Sequence, residues 1–79
     1  MSRSPHSADE IREELERVSA SLSSNGEGLN LEFRRPFPVG PHWPFTHNWD
    51  VRVVVPAGLE DLAFRAIDDV AARWDLEQK

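Results

Sequence analysis

Arg35-Pro36-Phe37-Pro38-Val39-Gly40-Pro41-His42-Trp43-Pro44-Phe45-Thr46-His47-Asn48 is the stretch on which the reading of this chain turns. Its four prolines remove four backbone N–H donors and fix φ, which excludes a helix or a central strand and biases the segment towards polyproline II. On both sides of it the apolar residues recur at every second position. Leu29, Leu31 and Phe33 alternate with Asn30, Glu32 and Arg34 before it. After it, Trp49, Val51, Val53 and Val55 alternate with Asp50 and Arg52, and Val54 is the one apolar residue on the polar face. Each flank reads as a strand with one buried and one wet face, the pattern of an antiparallel pair. Pro56 stops the second strand because it has no N–H for the ladder. The stretch is then the loop of a hairpin, yet a tight hairpin needs only about two to five loop residues.

Phe37, Trp43 and Phe45 put three of the chain's seven aromatic residues in that loop. Two readings follow. The rings fold back as a lid over a small core, or they form an apolar patch for a partner, since aromatic and Arg side chains dominate the energetic centres of interfaces. Both hold if the partner is a second copy of the chain.

Outward from the hairpin the period changes to that of a helix. Ser7 followed by Glu10 has the form of a capping box, and Ile11, Leu15, Val18 and Leu22 fall on one stripe. The other faces carry Asp9, Glu10, Glu13, Glu14 and Glu16 with Arg12 and Arg17, acids leading where the helix dipole favours them. Ser23-Ser24-Asn25-Gly26 ends this helix. Beyond the second strand Pro56-Ala57-Gly58 opens another helix, with Glu60 and Asp61 in its first turn. Its apolar stripe is Leu59, Leu62, Ala63, Ala66, Ile67, Val70 and Trp74, widened by Phe64 and Ala71.

The expected fold is therefore a small α+β domain, helix-strand-strand-helix, with two helices on one face of a small antiparallel sheet formed by a hairpin with a long Pro/aromatic loop. It spans residues 7–76, after a disordered lead at 1–6 and before a tail at 77–79. A two-stranded sheet is marginal alone, so the sequence predicts completion by dimerisation or by a partner. In a runner-up arrangement the loop adds a short third strand around Val39 or Phe45, an order of elements similar to that of double-stranded-RNA-binding domains but without their basic residues.

The whole composition narrows the function classes. The chain has 79 residues, nine basic and fourteen acidic, a formal charge of −5, 39% apolar content and no cysteine. Disulfides and thiolate metal sites are excluded. No apolar run approaches the roughly 18 residues of a membrane span, and the acidic balance opposes non-specific nucleic-acid binding. A cytoplasmic location is expected, with no membrane and no nucleic-acid partner. Arg supplies eight of the nine basic residues, a bias expected of a GC-rich bacterial or phage genome.

Catalytic patterns are missing from the sequence. Its serines stand in the lead, on the first helix or in its cap, and the adjacent acids Glu13/Glu14, Glu60/Asp61 and Asp68/Asp69 diverge by about 100° on a helix. The glycines make no phosphate loop. No enzyme activity and no cofactor are expected. His42, His47 and Asp50, with His6 from the lead, are candidate metal ligands, but four and two intervening residues in a Pro-rich loop are not a zinc spacing.

What remains is a small acidic, non-catalytic protein-protein interaction module of the inhibitor, immunity or anti-defence, or accessory-subunit type, acting by surface occupation on a protein partner or as a homodimer. Phe37, Trp43, Phe45 and Arg35 would anchor the partner, and Glu13 and Glu16 on the first helix would steer a basic one. The alternative is an RNA-binding or small-ligand regulatory domain using Arg34, Arg35, Arg52 and the 35–48 loop, weighed against cross-strand ion pairing of Arg34 and Arg52 with Glu32 and Asp50.

Overall fold

A computed structural model describes residues 4–23 and 31–77. Along the chain these form β1 (Ser4–His6), α1 (Ala8–Leu22), β2 (Glu32–Phe33), β3 (Phe37–Pro38), β4 (Trp49–Asp50), β5 (Val53–Val54), α2 (Glu60–Arg73) and β6 (Trp74–Leu76). Among the described residues this is a small α+β fold with two helices, two small antiparallel ladders and one parallel pair.

The helix starts follow the local chemistry. Ser7 caps α1: its hydroxyl accepts from the Glu10 N–H at 3.2 Å, and the Glu10 carboxylate accepts from the Ser7 N–H at 2.9 Å. Those bonds satisfy donors that the first turn of a helix leaves open. They also hold the Glu10 carboxyl below its ordinary range, the backbone bond to Ser7 first. Before α2 the chain turns through Gly58 at φ 93°, a conformation open to glycine, whose N–H donates to the Glu60 carboxylate at 3.0 Å.

The hairpin is built of two short ladders out of step with each other. Glu32 and Phe33 pair with Val54 and Val53, while Phe37 and Pro38 pair with Asp50 and Trp49. The Arg34 N–H donates to the Arg52 carbonyl at 2.8 Å between them. Residues 34–36 thus oppose residues 51–52, one extra residue on the first side, which is a bulge. Pro36 and Pro38 offer no N–H there, so the ladder breaks where the proline run begins. The loop does add strand to the hairpin, but at Phe37–Pro38 and not around Val39 or Phe45.

Residues 4–6 of the expected disordered lead form a strand. Ser4–His6 runs parallel to Trp74–Leu76, and the Glu77 N–H donates to the His6 carbonyl at 2.7 Å. The His6 ring stacks on Trp74, 3.6 Å between centroids and 17° between planes. In place of the expected helix-strand-strand-helix order, the described residues run strand, helix, four short strands, helix, strand. In this parallel ladder Ser4 and His6 turn their polar groups to β6, so Pro5 holds the outward position on the open edge and presents no N–H there.

Ile11, Leu15, Val18, Leu31, Phe33, Trp49, Ala63, Ala66 and Val70 form the centre of the core. α1 packs on α2, and both touch β6. Leu22 and Phe64, both placed in apolar stripes by the sequence, are exposed, as is Val54. The turn expected after Ser23 and the strand start at Leu29 lie outside the described residues.

Candidate functional site

The loop between β3 and β4 is held at its base and open at its rim. Trp49 is wholly buried, and its indole N–H donates to the Trp74 carbonyl at 3.0 Å. Next to it, the Asn48 amide works as a surrogate strand: its Nδ2 donates to the Leu76 carbonyl at 2.9 Å, and its Oδ1 accepts from the Leu76 N–H at 2.7 Å. Those bonds fix the loop to β6 on the edge away from β1.

A file of rings climbs outward from this anchor. His47 lies edge-on to Trp49 at 5.2 Å, stacks with Phe45 at 5.7 Å, and meets Trp43 edge-on at 5.4 Å; Trp43 and Phe45 are 5.1 Å apart. The inner end of the file is core and the outer end is surface, with Phe45 62% exposed; Phe37, 39% exposed, lies outside the file, opposite Asp50 in the β3/β4 ladder. The lid and patch readings therefore describe opposite ends of one feature.

Two shallow clefts flank the file. One, about 370 Å³, lies along residues 37–44 and includes Asp50. The other, about 400 Å³, runs between the loop, at Pro44, Phe45 and His47, and the α2 residues Asp68, Ala71 and Ala72. A third hollow on α1 is bordered by Asp9, Arg12, Glu13 and Glu16.

The charged candidates are distributed differently from the aromatic ones. Arg35 leaves the loop for Asp9 on α1, Nε to Oδ1 at 2.9 Å. Arg34 pairs with Glu32 on its own strand at 3.5 Å, and the Asp50 carboxylate accepts from the Val51 N–H at 2.8 Å. The cross-strand ion pairs expected from the alternation are not the ones formed; the bulge shifts the register between Arg34 and Asp50. Arg52 is exposed, as is Glu13, and Glu16 pairs with Arg12 at 3.4 Å. Among the described residues no three His, Cys, Asp or Glu side chains converge on one point. His42, His47 and Asp50 are thus not brought together: His47 is in the ring file, His42 stands on the rim of the first cleft, and His6 lies by Glu10 at 3.7 Å.

Sequence reasoning missed two polar features. Glu14 was read as part of a solvated face, but it is buried at the α1/α2 seam, with Arg17 at 2.6 Å and Arg73 at 2.9 Å. Hydrogen bonding to Arg17, reinforced by Arg73 and opposed by burial, brings its carboxyl down to about 2. Spacing held the signal, because Glu14 is three residues after Ile11 and four before Val18. The second is Asn48, for which a lone Asn in a polar loop gave none.

Among the described residues no helix is long and apolar enough to cross a membrane. Comparison of the chain with family models, curated proteins and solved structures gives no match, so the function rests on the site's own geometry.

Proposed function

We propose that this protein is a small acidic, non-catalytic protein-protein interaction module, acting in the cytoplasm by occupying a surface of its partner, as an inhibitor, immunity-type or accessory subunit does. The observation that carries the reading is the loop's two-ended construction: Trp49 and Asn48 lock its base to the core while Phe45 is presented at its rim, with Phe37, opposite Asp50, exposed beside the base. Proline keeps that rim stiff, so little ordering entropy is lost when a partner docks. A net charge of −5 steers the chain towards basic partners, with Glu13 and Glu16 on the flank of α1.

The partner that completes the small sheet is more easily a different protein than a second copy. Two copies at −5 repel each other, and Pro5 blunts the open edge of β1. The RNA-binding alternative has less support, because Arg34 and Arg35 sit against the carboxylates of Glu32 and Asp9.

The test is capture from host lysate at high salt, with the tagged chain and its Phe37→Ala/Phe45→Ala variant side by side. Both side chains are exposed, so the variant folds. A protein retained by the first and lost by the second is the expected result. Retention equal in both, or retention of RNA abolished by salt, overturns the reading.

A further inference from the structure

Phe45 and Phe64 are the two most exposed large apolar side chains among the described residues, at 62% and 64%. Phe45 closes the outer side of the second cleft, whose helical wall is Asp68, Ala71 and Ala72. Phe64 extends that wall by one turn, about 6 Å before Asp68 on the same helix face. Ala72, exposed beside the buried Ala71, leaves room for a foreign side chain to approach the α2 backbone, and the loop side of the cleft is Pro44, Phe45, Thr46 and His47, with a single carboxylate on the helix side. That carboxylate makes no ion pair among the described residues, although Arg65 lies three positions before it and the neighbouring Asp69 is paired with Arg73 at 3.1 Å. The first cleft offers less, since its Asp50 carboxylate already accepts from the Val51 N–H.

A trough of mixed apolar and polar lining, with one acid that makes no ion pair among the described residues, on a molecule of net charge −5, is complementary to a segment that carries positive charge beside an apolar anchor. We propose that the cleft between the loop and α2 is a docking groove for a basic, apolar-anchored peptide segment of another protein: an aliphatic or aromatic side chain seats on Ala71 and Ala72 against Phe45, and an adjacent Arg or Lys pairs with Asp68. This rests on the reading of the loop as an interaction surface and names the chemistry of what binds there. A nucleic acid would bring phosphate to Asp68, and a second copy would bring net negative charge to it.

The probe is a synthetic amphipathic peptide of Leu, Ala and Arg, compared with a twin carrying Glu for Arg and another carrying Ser for Leu, titrated into the full chain while backbone amide shifts are followed by NMR. The expected result is binding of the Leu/Arg peptide alone, with shifts concentrated at Phe45, Asp68 and Ala72. Asp68→Lys should weaken it by about tenfold and Asp68→Asn by less, while Arg34→Ala leaves it unchanged. Failure of every peptide to bind, or Asp68→Lys binding as well as the parent, overturns the groove. Shifts confined to Phe37, Trp43 and Asp50 overturn it while leaving the loop as the interaction surface. Shifts nowhere on the loop, with Phe45→Ala lacking effect on capture, sink both. Self-association through Phe45 without peptide, or polyuridylate giving the same shifts, also overturns it.

Discussion

Glu14 holds its carboxylate between two guanidinium groups, with 9% of its side chain exposed, and so ties α1 to the last turn of α2. Its carboxyl ionises at about 2, below the ordinary 4.5, so the unfolded chain binds that proton more tightly than the folded one. The stabilisation is complete above about pH 4.5 and is lost as pH falls through about 2. With Arg17 largely exposed, it is worth roughly 2 kcal/mol. Glu14→Gln should therefore lower the urea-unfolding free energy at pH 7 by about that amount, and the gap to the parent should close between pH 4.5 and 2. A gap independent of pH refutes the assignment. At Asn48 the argument is geometric. Asn48→Asp keeps the size but turns the donor to the Leu76 carbonyl into an acceptor, which should cost roughly 1–3 kcal/mol in thermal or denaturant melts.

At the scale of elements, the capped helix α1 and the alternation of buried and wet positions were legible because each is driven by its own residues, Ser7 with Glu10, Leu31 with Phe33, Trp49 with Val51, whereas the breaking of each expected strand into short ladders was not. The parallel pair was not legible. Three residues are too few to show alternation, Pro5 argues locally against a strand, and the partner lies about seventy positions away. Width misled at α2, where Phe64 looked like an extension of the apolar stripe although among the described residues it is 64% exposed. Phe64→Ser should consequently change stability by less than about 0.5 kcal/mol, while Ala66→Ser, at a fully buried position, costs more. Removing residues 1–6 takes away both the ladder and the His6 ring from Trp74. We expect a loss of about 2 kcal/mol, with hydrogen exchange accelerated at Asp75 and Glu77 and little changed at Val18.

The molecule is elongated, 37 × 22 × 20 Å, and among the described residues its exposed large apolar side chains are spread over α1, the hairpin, the loop and α2. The candidate residues differ in how far sequence alone could place them. The aromatic members were found because Phe37, Trp43 and Phe45 stand where polar residues belong, whereas the pairing of Arg35 with Asp9 and the opening of a cleft onto Asp68 depend on how α1 and α2 are set against the hairpin. Like charge should keep free molecules apart: sedimentation at pH 7 and low salt is expected to show a monomer across the micromolar range, with self-association rising only as acidification lowers the net charge. A stable dimer at pH 7 contradicts this.

The bond from the Trp49 indole to the Trp74 carbonyl also sets an order of events during synthesis. The hairpin is complete in the nascent chain once Val55 has been made, but the carbonyl that its central indole needs is added about twenty residues later. Until then a polar N–H stands in an apolar setting with no acceptor, and Asn48 has no strand to imitate. A growing chain on the ribosome therefore carries the aromatic loop unsecured until residues 74–76 have followed it.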